Sequence, residues 1–152
     1  MHISTLSNAD GGSCTLTFEE PDGWLRATWR GHVDPVEAVR GAENYLAHAA
    51  LRPCPYLLND NSALRGPWFD SVDWLERVWL PHALRLGLRY IAHVVQADTY
   101  TDLLTLTFPQ ALRGQLELQI FSAVAEAEEW LRSRRHDACS GQAAETKGAF
   151  SG

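Results

Sequence analysis

What most constrains the fold of this chain is a change of period partway along it. Cys14-Thr-Leu-Thr-Phe18 and Trp24-Leu-Arg-Ala-Thr-Trp-Arg30 alternate with period two, and Pro21-Asp22-Gly23 between them supplies the turn chemistry of a hairpin. From Asp34 onward the apolar spacing becomes helical, and strand-like and helix-like segments then take turns to about residue 131. A hairpin followed by such alternation predicts an α/β fold of order ββαβαβαβα. Its sheet is mixed but mostly parallel, with about five strands, four helices and right-handed crossovers.

The local signals behind that order are specific. In the second strand Leu25, Ala27 and Trp29 share the core face, and Arg26, Thr28 and Arg30 share the other. Asp34-Pro35-Val36-Glu37 combines an N-cap, a proline pre-set for the first helical turn and the Glu of a capping box. The helix it starts carries Val36, Val39, Ala42, Leu46 and Ala49 as its apolar stripe and stops at Arg52-Pro-Cys-Pro55. A short strand, Tyr56-Leu57-Leu58, leads into a polar loop over 59–66. From Phe69 to Leu86, Val72, Leu75, Trp79 and Leu86 recur on one helix face, and Pro81 within it predicts a kink near Leu80. Arg89–Val95 is apolar on both faces apart from His93, as in a strand covered on both sides. Asp98 caps a helix through Phe108, Gln115–Phe121 alternates as a last strand, and Ser122 caps a last helix through Leu131. Residues 1–13 and 133–152 lack an apolar period and are expected to be loose, which leaves one domain over 14–132.

Composition narrows the function. The 152 residues are 45% hydrophobic, enough for a single core without metal or disulfides. The net charge is −6, with no basic stripe, which argues against nucleic acid and anionic lipid as partners. Cys14, Cys54 and Cys139 form no CxxC pair and no zinc spacing. There is no leader-like start and no run of eighteen apolar residues, so a cytoplasmic location without membrane insertion is expected. GxSxG, P-loop, GxGxxG, HExxH and EF-hand patterns are all missing. The expectation is therefore a protein without catalytic residues, cofactor or metal.

The segment Leu57-Leu-Asn-Asp-Asn-Ser-Ala-Leu64, leading to Phe69-Asp70-Ser71, resembles the STAS domain shared by anti-sigma-factor antagonists and anion-transporter tails. The resemblance covers roughly residues 14–132, and the Trp-rich stretch 74–92 is similar to small stand-alone bacterial STAS-like proteins. In that family the helix after the Asp-containing turn begins Asp-Ser-Ser-Gly, and its first Ser is phosphorylated. Asp70 and Ser71 hold the Asp-Ser positions here, while Val72 and Asp73 replace Ser and Gly. The resemblance implies a non-enzymatic regulatory or protein-interaction module, with Ser71 as its switch.

Each candidate residue has a plainer use beside the functional one. A phosphate on Ser71 would meet free N–H groups at a helix start, yet Ser71 or Asp70 also serves simply as a cap. Trp68 and Phe69 suit either a partner or ligand contact or a hydrophobic staple. With Asp60, Ser62 and Asp70 they make the loop 59–73 the expected contact surface for a protein partner. Trp74 and Val78 widen the Leu75/Trp79 stripe, as a deep core or a second copy of the chain would require. The rival reading is a binder of a small apolar, lipid-like ligand, in a pocket between the Trp-rich helix and the sheet lined by Trp68, Trp74, Trp79 and His93. Catalysis would need His93, His82 and Asp60 to converge, whereas a lone strand histidine is ordinarily a hydrogen-bonded core residue.

Overall fold

The structure is a computed structural model that describes residues 1–65, 74–96 and 115–136, with only the backbone of Glu76. Its strands are β1 (His2–Ser7), β2 (Ser13–Glu19), β3 (Trp24–His32), β4 (Tyr56–Arg65), β5 (Tyr90–Val94) and β6 (Glu117–Phe121). They form one six-stranded sheet in sequence order. The pairs β1/β2 and β2/β3 are antiparallel, and β3/β4, β4/β5 and β5/β6 are parallel. The α/β class and mixed sheet follow the sequence pattern, but the strand count is six rather than five. The added strand, β1, falls in the stretch 1–13 expected to be loose. Its residues are mostly exposed, so no burial period marks them; backbone pairing to β2 holds them, helped by Ile3 against the core and by Asn44 Nδ2 donating to Ser4 Oγ at 2.7 Å.

Helix α1 (Pro35–Leu51) begins as its sequence dictates. Asp34 Oδ1 accepts from Glu37 N–H at 2.8 Å, and Glu37 Oε1 accepts from Asp34 N–H at 3.2 Å. Such a cap stabilises a helix by about 1 kcal/mol. The stripe that packs is Ala38, Gly41, Ala42, Tyr45, Leu46 and Ala49, whereas Val36 is exposed. The expected stripe is thus rotated, and the reason is steric. A Cβ at Gly41 would collide with the indole of Trp29, so small residues, not valines, let the helix approach the sheet.

Before Pro81 the helix runs as a π-helical turn, Leu75–Trp79, and continues as α2 (Leu80–Arg85). Leu80 N–H reaches back to Leu75 O, one residue further than an α-helical bond. A proline ring crowds the carbonyl four residues before it, and the wider turn is a known way of absorbing that conflict. The irregularity expected near Leu80 is therefore present as a π-turn. Val78, expected to widen the apolar stripe, is exposed. The start of that segment, 66–73, and the expected helix over 98–108 lie outside the described residues. So the count of four helices is not met among those described, which hold α1, the π/α2 segment and a last helix, α3, over 124–136.

The faces of the sheet divide cleanly. Cys14, Leu16, Ala27, Trp29, Leu57 and Ile91 face α1 and α2. On the opposite face Trp24, Leu58, Ala92 and Val94 pack under Ala127 and Leu131 of α3. Tyr56 stacks on Tyr90 at 5.2 Å, and Trp130 meets Tyr90 and Phe121 edge-on or tilted. The face of Arg26 is accordingly covered by a helix rather than wet. Arg132 Nε donates to Asp22 Oδ1 at 3.0 Å, and Arg135 donates to Asp22 O, so α3 is tied to the β2–β3 turn. That attachment carries ordered chain past residue 132, where the sequence pattern ends the domain.

Candidate functional site

Strand β4 is the source of the site. The sequence pattern stops it at Leu58 because Asn59-Asp60-Asn61-Ser62 are poor strand formers. The structure carries it to Arg65, since β4 is a central strand with β3 on one side and β5 on the other, and its polar side chains find partners there. Thr28 pairs with Asp60 and Arg30 with Ala63, so β4 spends one residue more than β3 between them. This is a bulge, and Asp60 Oδ1 clamps it by accepting from Ser62 N–H at 3.0 Å and Ser62 Oγ–H at 2.6 Å. Before the bulge Leu57, Asn59 and Asn61 face α1; after it Leu64 takes that face.

Between this face of the sheet, α1 and the π-helical turn lies a cavity of about 460 Å³. Among the described residues its wall is mainly apolar, with Leu16, Ala27 and Leu57 below and Ala42, Tyr45 and Trp79 above. Trp79 is held by its indole N–H, which donates to Ala42 O at 2.9 Å, and by a tilted contact with Tyr45. One part of the wall is polar. Trp29 Nε1 donates to Asn59 Oδ1 at 2.9 Å; Asn59 Nδ2 in turn meets Asn61 Oδ1 at 3.1 Å and His93 Nδ1 at 2.9 Å. Burial pushes the pKa of His93 down to about 4, a shift that the nearby Asp60 charge partly opposes, so the ring is neutral near pH 7. Burial also raises the Cys14 thiol at the cavity wall to about 12, which makes it an inert apolar lining group at neutral pH.

Of the residues expected at a site, Trp79 and His93 line this cavity. Trp74 is half-buried and is not part of its lining. Asp60 points to the other face, where its Oδ2 lies 3.6 Å from Arg26 Nη2. The same guanidinium lies 3.8 Å from Glu128 and 3.9 Å from Glu19, so Asp60 belongs to a carboxylate cluster under α3. Ser62 is exposed on the bulge, and Trp68, Phe69, Asp70 and Ser71 lie outside the described residues. His82 is exposed, so His93, His82 and Asp60 do not converge. Among the described residues no three His, Cys, Asp or Glu side chains gather as for a metal ion. None of their helices is long and apolar enough to cross a membrane.

Sequence reading missed Trp29, Asn59 and Asn61 as members of the site. A signal for two of them exists: Leu57, Asn59 and Asn61 keep period two straight through the segment taken as loop.

No family model and no curated protein matches this sequence. Among solved structures, an anti-sigma factor antagonist from Mycobacterium paratuberculosis is similar at 15% identity and TM-score 0.52, over 84% of this chain and 99% of that one. An uncharacterized protein of the DUF3478 family, with a SpoIIAA-like fold, from Shewanella loihica PV-4 is similar at 17% identity and TM-score 0.52, over 83% and 98%. Identities this low speak to architecture alone. With a mixed sheet, parallel crossovers and α3 closing the second face, this chain has a STAS-like fold.

Proposed function

We propose that this protein is a non-enzymatic STAS-fold binding module that takes one small, mainly apolar molecule into the cavity between the sheet and the α1/α2 helices. The observation that carries this reading is the cavity itself. At about 460 Å³ it falls in the range of about 300–1,000 Å³ that small-molecule sites occupy, and it joins an apolar wall to a few convergent polar groups. The polar groups sit near the carboxyl end of β5, the side of an open parallel sheet where ligands are generally received. Among the described residues the cavity brings no nucleophile beside a base, which favours binding over chemistry.

Native mass spectrometry of the purified protein, compared with its mass after denaturation, tests the reading. The expected result is an added mass lost on denaturation, together with a saturable change in Trp fluorescence when the stripped protein is titrated with a hydrophobic probe such as 1-anilinonaphthalene-8-sulfonate. No bound mass and no saturable response would overturn it.

A second reading, a regulatory protein-interaction module, is favoured by the likeness to the anti-sigma factor antagonist. Its contact surface would be the segment 59–73, which opens with the second half of β4, its switch Ser71, and its partner another protein or a second copy of the chain in the cytoplasm. A covalent phosphate that survives denaturation and maps to Ser71 would support it. The two readings are compatible if a bound molecule alters that segment, because Asn61 and Leu64 of β4 belong to both.

A further inference from the structure

We propose that the cavity selects molecules whose polar group is an uncharged hydrogen-bond acceptor, a carbonyl oxygen received by His93 Nε2–H and Asn61 Nδ2–H. The inference rests on the cavity-binding reading and names the ligand class. It follows from an accounting of donors and acceptors that begins at Trp29. An indole N–H only donates, so the atom of Asn59 that faces it at 2.9 Å must be the carbonyl oxygen. The Asn59 amide nitrogen then points to Asn61 and His93 and donates to both. Asn61 must therefore present its oxygen to Asn59, and His93 its unprotonated Nδ1.

Each acceptor atom of the cluster, Asn59 Oδ1, Asn61 Oδ1 and His93 Nδ1, already receives a hydrogen bond within this relay. The hydrogen-bonding atoms left without a partner are donors: Asn61 Nδ2–H, and the Nε2–H that a neutral His93 must carry once Nδ1 accepts. Among the described residues neither has a hydrogen-bond partner, and both residues line the cavity. The depressed basicity of the half-buried ring keeps it neutral near pH 7, and the Asn59 donor at Nδ1 selects the tautomer protonated on Nε2.

The wall also decides against charge. Among the described residues it holds no Lys or Arg to neutralise a carboxylate, and an unpaired ion in such a site is strongly disfavoured. The wall's one charged residue among those described, Glu117, already lies 3.2 Å from Arg134. An ammonium would meet donors where it needs acceptors. A ketone, ester or amide on an apolar body satisfies both free donors and leaves nothing charged.

Four size-matched probes separate the cases by calorimetry: acetophenone, cumene, benzoate and 1-phenylethylammonium. Acetophenone is expected to bind about tenfold more tightly than cumene, as two added hydrogen bonds would give, with benzoate and the ammonium weakest. In His93→Phe the advantage of acetophenone over cumene is expected to shrink to less than threefold while cumene still binds. Long-range ¹H–¹⁵N spectra of the wild-type protein, which need no variant to fold, should show His93 protonated on Nε2 and that proton shifting on addition of acetophenone. Equal binding of cumene and acetophenone, preference for either charged probe, or protonation of His93 on Nδ1 would overturn the carbonyl assignment and leave the cavity reading standing. Binding of none of the four would instead remove the cavity reading.

Discussion

The indole Nε1 of Trp29 donates to Asn59 Oδ1 at 2.9 Å across strands β3 and β4, although the residue paired with Asn59 in the ladder is Ala27. The bond is diagonal, and it is what orients the Asn59 amide and, through it, His93. Trp29 is in turn placed by the glycine above it, since a side chain at Gly41 would occupy the space of its ring. A packing choice on a helix thus fixes the tautomer of a histidine two strands away from Trp29.

Replacing Trp29 by Phe removes the donor and leaves Asn59 Oδ1 half-buried without its partner. A cost of about 1–3 kcal/mol is expected, the range for an acceptor left unsatisfied away from water. Urea unfolding measures that cost. The same variant frees the Asn59 amide to turn over, so ¹⁵N spectra should show His93 as a mixture of tautomers where the parent shows one.

Gly41→Ala gives the opposite of what helix propensity alone suggests. Alanine favours a helix over glycine by about 1 kcal/mol. Here its Cβ collides with the rigid Trp29 ring, and overpacking of that kind costs about 1–3 kcal/mol. A net loss of stability is expected, and a raised melting temperature for Gly41→Ala would show that the ring yields easily. Pairing it with Trp29→Phe should recover part of the loss, because the two residues are in contact.

Stability should also fall with acidity through His93. Its pKa is near 4 folded and 6.5 unfolded, so between those values the unfolded chain binds more protons and stability rises with pH. The sign is that of a base with a depressed pKa: the contribution is full above the unfolded value and is lost as pH falls toward 4. Between about pH 7 and pH 5 the loss is as much as about 2 kcal/mol, less to the extent that water in the cavity screens the ring. Urea midpoints at the two pH values measure it, and His93→Gln should show a shallower fall than the parent.

The parts of the fold that the sequence announced were those with redundant local signals. Asp34, Pro35 and Glu37 state the start of α1 three times over, and Pro21-Asp22-Gly23 states the hairpin. What stayed hidden was decided by neighbours. β1 packs just one side chain of its six, Ile3, against the core, and β4 reads as a loop beyond Leu58 until Trp29 and His93 are brought beside Asn59. The stripe of α1 was misjudged because the valines are its most apolar residues, while contact with Trp29 demands its smallest. Trp79 and His93 could be nominated from sequence because one large apolar residue and one polar residue stood out within their periods. Asn59 and Asn61 look like any polar pair.

Asp60 offers the last test, because it serves the site from the opposite face. Its Oδ1 holds the bulge through Ser62, and its Oδ2 lies 3.6 Å from Arg26. Asp60→Ala removes both at once in a buried position and leaves Arg26 with the partly exposed Glu19 and Glu128. A cost of about 3–5 kcal/mol is the range for breaking one side of a buried pair, and a value near the lower end is expected because those two carboxylates remain. Asp60→Asn keeps an acceptor for Ser62 and should cost less than the alanine variant. Asn61 faces the cavity by the alternation it shares with Leu57 and Asn59, and it lies between Asp60 and Ser62, whose hydrogen bonds clamp the bulge, so the alanine variant, by loosening that clamp, should lose affinity for acetophenone more than for cumene. If Asp60→Ala weakens both probes equally, the bulge contributes stability to the sheet but does not aim Asn61.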